Sequence, residues 1–153
     1  MDRLKDKVAI VTGAGSGIGR ASAHMFAKEG AAVIVADILA DTARQVAEEI
    51  EAQGGRALPL TVDVGEESAL KAMIDTTLDR FGRINILFNN ALFVNPEMAM
   101  RDMDFLNFDP TIFQANLRVN VLGAVIASKL VIPHMLAQGG GSIISTSSGS
   151  SLG

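Results

Sequence analysis

The sequence predicts an α/β fold: a doubly wound parallel sheet with helices on both faces, its strands in the order 3-2-1-4-5. Three observations carry this expectation. Short β-branched, apolar runs alternate with amphipathic stretches, a glycine-rich segment joins the first run to the first stretch, and a proline stands inside the third run.

The strands are read at residues 8–11, 32–36, 57–62, 84–88 and 142–145. Most are continuously apolar, as strands covered on both faces are. Pro59 removes a ladder donor from the third, so that strand belongs at a sheet edge, which is where the 3-2-1-4-5 order puts it. The helices between them show their periodicity. Ile18, Ala21, Met25 and Phe26 are expected to face inward from the first, Ala43, Val46, Ala47 and Ile50 from the second, and Leu70, Met73, Ile74, Thr77, Leu78 and Phe81 from the third. Between Ala91 and Pro110 the pattern breaks into a Met-rich, acidic loop (Met98, Met100, Met103, Asp102, Asp104, Asp109) with one short helix. A long helix then runs from Thr111 to about Met135, bent late by Pro133 and stopped by Gly139, Gly140 and Gly141.

Composition limits the classes of function. The 153 residues suit one domain with its own core. A formal net charge of -4 offers no basic footprint for nucleic acid, and zero cysteines exclude disulfides and thiolate chemistry. His24 and His134 are the two histidines, too few for a metal cluster, and both are read as structural or surface residues; no metal is expected. The N-terminus has no secretory h-region, and a reducing cytosol fits. The most apolar stretch, residues 119–132, includes Asn120 and Lys129 and is shorter than the ~20 residues of a membrane span. It is read as a buried helix, with no membrane expected.

After the first strand comes Thr12-Gly13-Ala14-Gly15-Ser16-Gly17-Ile18-Gly19. Without Cβ atoms the backbone turns tightly and lets a pyrophosphate approach a helix N-terminus, where free N–H groups and the dipole favour an anion. Asp37 closes the second strand, where a dinucleotide fold places an acid on the adenosine ribose; the competing role is a cap for the next helix. An acid there opposes a 2′-phosphate, by ~1 kcal/mol in water and ~4 at an effective dielectric of 20 for charges ~4 Å apart, so NAD is favoured over NADP. Asp63 with Glu66 fits a capping box at the third helix.

TGxxxGxG is the form used by the short-chain dehydrogenase/reductase family, and the resemblance covers the whole chain. Asn89-Asn90-Ala91 looks like the family's NNAG, Asn120-Val121-Leu122-Gly123 resembles its helix asparagine motif, and residues 141–148 resemble its serine strand. The resemblance implies a Rossmann domain over residues 1–153 whose cofactor site is Gly13, Ser16, Gly17, Ile18 and Gly19 at the pyrophosphate and Asp37 at the ribose. Asp63 and Val64 would meet adenine, and Asn90 and Ala91 the nicotinamide-side ribose. It implies that Asn120 helps hold a water in a proton relay and that Ser148 hydrogen-bonds the substrate oxygen. Leu92 departs from the family's glycine. Ser16 stands where NADP-using relatives often carry a basic residue.

The implied activity is hydride transfer between NAD and an alcohol or ketone in a homodimer or homotetramer, with a tyrosine as base and a lysine lowering its pKa. The chain has zero tyrosines, and the family's YxxxK motif would fall past Gly153. These 153 residues are therefore expected to be the front part of an oxidoreductase and inactive by themselves. The alternative is a non-catalytic dinucleotide-binding module. Gly149-Ser150-Ser151-Leu152-Gly153 matches a hydrolase elbow, but no helix, acid or histidine follows to complete one. The fifth strand, with Ile143 and Ile144, is expected to form an unprotected edge.

Overall fold

The computed structural model describes residues 2–93 and 105–148. The chain order is β1 (Val8–Thr12), α1 (Gly17–Lys28), β2 (Ala32–Asp37), α2 (Ala40–Ala52), β3 (Arg56–Thr61), α3 (Glu67–Phe81) and β4 (Ile86–Asn89). After a 3₁₀ turn at Phe105–Asn107 come α4 (Pro110–Leu117), a π-helical turn (Arg118–Gly123), α5 (Ala124–Ala137) and β5 (Ser142–Ser145). Met98, Met100, Met103, Asp102 and Asp104 of the expected loop, and the elbow-like end, lie outside the described residues.

Every pairing in the sheet is parallel, and the order is β3-β2-β1-β4-β5. Ile10 pairs with Ile34 on one side and Leu87 on the other, so the glycine turn leaves from the middle of the sheet. Pro59 sits opposite Val35 in the edge strand β3, where its missing N–H leaves no gap in an inner ladder.

Successive side chains of β1 feed opposite layers, as the two-residue period of a strand requires. Ala9 and Val11 pack with Ala43, Val46 and Ile50 under α1 and α2. Ile10 packs with Leu70, Met73, Ala127 and Val131 under α3 and α5. This two-sided cover is why β1 and nearly all of β2 are buried along their whole length.

In α1 the inward face is the expected one only at Phe26. Ile18, Ala21 and Met25 are exposed, and Gly19 and Ala23 are buried, with Phe26 and Ala27 packed beside them. Small residues win because the helix starts almost on top of the glycine turn: a Cβ on Gly19 would stand 2.0 Å from the Gly13 carbonyl oxygen. Near the turn, bulk therefore faces out, at Ile18.

The helix after Asp109 starts as the sequence suggests. Pro110 occupies the first turn, and the Asp109 side chain accepts from the Thr111 amide at 2.9 Å. It is one continuous helical run, Pro110–Ala137, and by length and composition it is long enough to cross a bilayer, which the shorter apolar stretch did not suggest. Nor is it buried. Gly123, Ala127, Val131 and Met135 face the sheet, whereas Leu117, Val121, Val125, Ile132 and Leu136 are exposed. Pro133 lies inside α5, and the helical pattern departs from α instead at the π turn that carries Asn120. Gly139 and Gly140, both at positive φ, end the run.

Candidate functional site

Three strand ends meet at the carboxyl edge of the sheet, beside the point where the strand order reverses, with β2 and β3 laid to one side of β1 and β4 and β5 to the other. From β1 the chain enters the glycine turn with Gly13 at φ 63° and Gly17 at φ 52°, backbone that L side chains rarely adopt. A Cβ on Gly13 would lie 2.8 Å from the Ala91 Cα, whereas one on Gly17 would meet nothing within 4 Å. Gly13 and Gly19 are thus packing glycines, and Gly17 is an opening. Ser16 is the N-cap residue of α1, but its side chain makes no capping hydrogen bond. Without that cap, and among the described residues, the first-turn amides of α1 are open to an outside acceptor, which suits an anion.

From β2 comes Asp37. Its Oδ2 accepts from the Gly15 amide at 2.8 Å, and its Oδ1 accepts from the Leu39 amide at 3.0 Å. The N-cap of α2 is Leu39, so Asp37 binds one amide ahead of the helix and one in the glycine turn and does not cap the helix itself. The Val62 amide donates to the Asp37 carbonyl at 2.8 Å, which brings the end of β3 to the same edge.

From β4 come Asn90 and Ala91, both held by Thr12. The Thr12 hydroxyl accepts from the Asn90 amide at 3.0 Å and the Ala91 amide at 3.1 Å, while the Asn90 side-chain amide donates to the Thr12 carbonyl at 3.2 Å. Thr12 is 2% exposed, so these bonds form out of water, where an unmatched amide is costly. Thr146, beyond β5, donates from its hydroxyl to Asn90 Oδ1 at 3.2 Å. Asn89 donates to the Ser128 hydroxyl at 3.2 Å and so ties β4 to α5. Thr12, Ser128 and Thr146 were not singled out from the sequence; a polar residue closing the apolar run of β1 is the signal that could have marked Thr12.

Asp63 forms no capping box: its Oδ1 accepts from the Gly65 amide at 2.8 Å, and the N-cap of α3 is Glu66, which makes no capping bond. Val64 is buried against the π turn, where a Cβ on Gly123 would lie 2.6 Å from its carbonyl oxygen. Asn120 is half-buried; its Oδ1 accepts from the Phe93 amide at 2.7 Å, and its side-chain amide donates to Asn116 Oδ1 at 3.2 Å. Asn120 thus anchors the chain just past Leu92, which is itself exposed. Ser148 lies exposed beyond the end of β5. His24, read as a structural or surface residue, has its Nε2 3.0 Å from Glu49, which also pairs with Arg20 at 2.7 Å. The Arg20 hydrogen bond, joined by Gln45 and His24, holds the Glu49 carboxyl below the ordinary carboxylate range.

A parallel sheet whose strand order reverses beside its first strand, a glycine turn opening onto a helix N-terminus without a side-chain cap, and an acid closing the second strand define a dinucleotide-binding Rossmann domain. The short chain dehydrogenase family model matches residues 7–152, and the chain belongs to that family. It is 40% identical over 148 residues to an uncharacterized oxidoreductase of Bacillus subtilis, covering 97% of this chain and 52% of that protein. It is 39% identical over 149 residues to a 7alpha-hydroxysteroid dehydrogenase of Escherichia coli, covering 95% of this chain and 54% of that one. A solved 7 alpha-hydroxysteroid dehydrogenase complexed with NADH and 7-oxo glycochenodeoxycholic acid superposes with a TM-score of 0.90 at 37% identity, over 99% of this chain and 56% of that one. The chain spans about half the length of the curated relatives it matches.

Proposed function

We propose that these residues form the single cofactor-binding domain of an NAD-dependent oxidoreductase that, in a complete chain, moves a hydride between NAD and an alcohol or ketone. The observation that carries the choice of NAD is Asp37, whose carboxylate is fixed by the Gly15 and Leu39 amides at the mouth of the glycine turn. A carboxylate held there accepts from a ribose 2′-hydroxyl and repels a 2′-phosphate. The relatives support the class of chemistry, since they include hydroxysteroid dehydrogenases and a 3-oxoacyl-[acyl-carrier-protein] reductase of Thermotoga maritima.

The residues fit a dinucleotide. Gly17 leaves open space at the start of α1, and the uncapped amides of Gly17, Ile18 and Gly19 would hold the pyrophosphate, with Ser16 alongside. Asp37 would hold the adenosine ribose, Asp63 and Val64 the adenine, and Asn90 and Ala91 the nicotinamide-side ribose. When bound, the nicotinamide supplies the hydride or takes it up. Ser148 donates to the substrate oxygen and so orients the carbonyl or alcohol. Asn120, already holding the Phe93 amide, keeps a water within reach of the site for proton exchange. A tyrosine base is absent from these 153 residues, so a polypeptide of this sequence binds NAD without turnover.

The exposed apolar stripe along α4, the π turn and α5 (Leu117, Val121, Val125, Ile132, Leu136) supports a homo-oligomer. The substrate is a small molecule, and the place of work is the cytosol. Titration calorimetry with NAD and NADP tests the reading: NAD is expected to bind tighter, and a preference for NADP would overturn it.

A further inference from the structure

Arg118 opens the π turn, and its guanidinium reaches the loop between β3 and α3. One nitrogen, Nη2, lies 3.7 Å from Asp63 Oδ2, and the other, Nη1, pairs with Glu66 Oε1. Between these acids it presses on Gly65, where a Cβ would stand 2.9 Å from the guanidinium carbon. The far end of the same turn closes on the same loop through Gly123 and the Val64 carbonyl. The loop is therefore gripped from both ends of the turn that carries Asn120.

We propose that Arg118 is a positioning residue for the cofactor: it orients the Asp63 carboxylate toward adenine and links occupancy there to the Asn120 turn. This rests on reading Asp63 and Val64 as adenine contacts. Among the described residues the Asp63 carboxylate is hydrogen-bonded through Oδ1, to the Gly65 amide at 2.8 Å, and a carboxylate tied at that one oxygen swings the other. The Arg118 charge restrains that oxygen and leaves its lone pairs aimed at an exocyclic amine. At 3.7 Å the contact is Coulombic and the groups are half-exposed, so it contributes little to stability and acts through orientation.

The probes are NAD, its hypoxanthine analogue, which has a carbonyl in place of the 6-amino group, and ADP-ribose. Calorimetry on the full chain gives the affinity ratio of NAD to the analogue. The ratio is expected to favour NAD in the wild type, to narrow about fivefold in Arg118→Ala, and to recover in part in Arg118→Lys. ADP-ribose is expected to slow amide exchange at residues 118–123 in the wild type and not in Arg118→Ala. If Asp63→Asn leaves the ratio unchanged, the adenine reading fails and takes this proposal with it. If Asp63→Asn narrows the ratio and Arg118→Ala does not, the role of Arg118 alone is overturned. An equal loss of affinity for both dinucleotides in Arg118→Ala, with a lower melting temperature, assigns Arg118 to structure and also overturns it.

Discussion

The Asp37 carboxylate accepts a hydrogen bond from the backbone amide of Gly15 at 2.8 Å, so the acid proposed to select the cofactor also braces the glycine turn. Asp37→Ala is therefore expected to do two things. It weakens NAD binding, and by removing ~1 to 4 kcal/mol of repulsion it narrows the NAD-to-NADP preference by roughly fivefold or more. Titration of both cofactors checks this; an unchanged preference counts against Asp37 as selector.

Gly17 and Gly19 separate access from packing. Gly17 is open but sits at φ 52°, so Gly17→Ala keeps the fold at a cost of roughly 1–2 kcal/mol while crowding the pyrophosphate, and the β-branched Gly17→Val adds further strain. Gly19→Ala is the opposite case, because its Cβ would collide with the Gly13 carbonyl oxygen at 2.0 Å. Melting curves and NAD titrations are expected to show a folded, weakly binding Gly17→Ala and a strongly destabilised Gly19→Ala.

Thr12 is a buried hub. Thr12→Val keeps its shape but leaves the Asn90 and Ala91 amides without their acceptor, a loss of about 1–3 kcal/mol for each group left unpaired. Thr12→Ser keeps the oxygen and is expected to stay close to wild type. Chemical denaturation compares the two; equal stabilities would remove the hub.

Acid should loosen the α1–α2 contact. Glu49 has a lowered pKa through Arg20 first, so its contribution is present above the unfolded carboxylate value and lost as pH falls through the folded one. Glu49→Gln is expected to lower the melting temperature near neutral pH and to flatten its decline as the pH falls from the unfolded carboxylate value through the lowered folded one. Melting scans across that window check it, and parallel curves for wild type and variant would deny Glu49 the role.

Exposed apolar surface predicts self-association of a polypeptide with these residues. Ile143 and Ile144 are 37% and 45% exposed on β5, and Val125 on the helix stripe is 58% exposed. At ~25 cal/mol per Å², a few hundred Å² left in water forfeits several kcal/mol of a typical stability of 5 to 15. Sedimentation velocity is expected to show concentration-dependent species, reduced in Val125→Asp. A monodisperse, high-melting monomer would instead favour the short binding module.

The sheet was legible because each strand is a separate apolar run and because Pro59 admits only an edge, so period, propensity and one missing donor all agree. The glycine turn and Asp37 were legible too, since they follow strand ends where local chain geometry places them. Tertiary structure decided what depends on distance between elements. The inward face of α1 went to Gly19 and Ala23 because the Gly13 carbonyl leaves no room for bulk, whereas periodicity alone favoured Ile18 and Met25. The bonds of Asn90 to Thr12 and of Asn120 to Phe93 span residues remote in sequence, as does the grip of Arg118 on Asp63 and Glu66. Hydrogen bonds and ion pairs of that kind act over a few ångströms, and only the packing of helices on the sheet brings such residues that close.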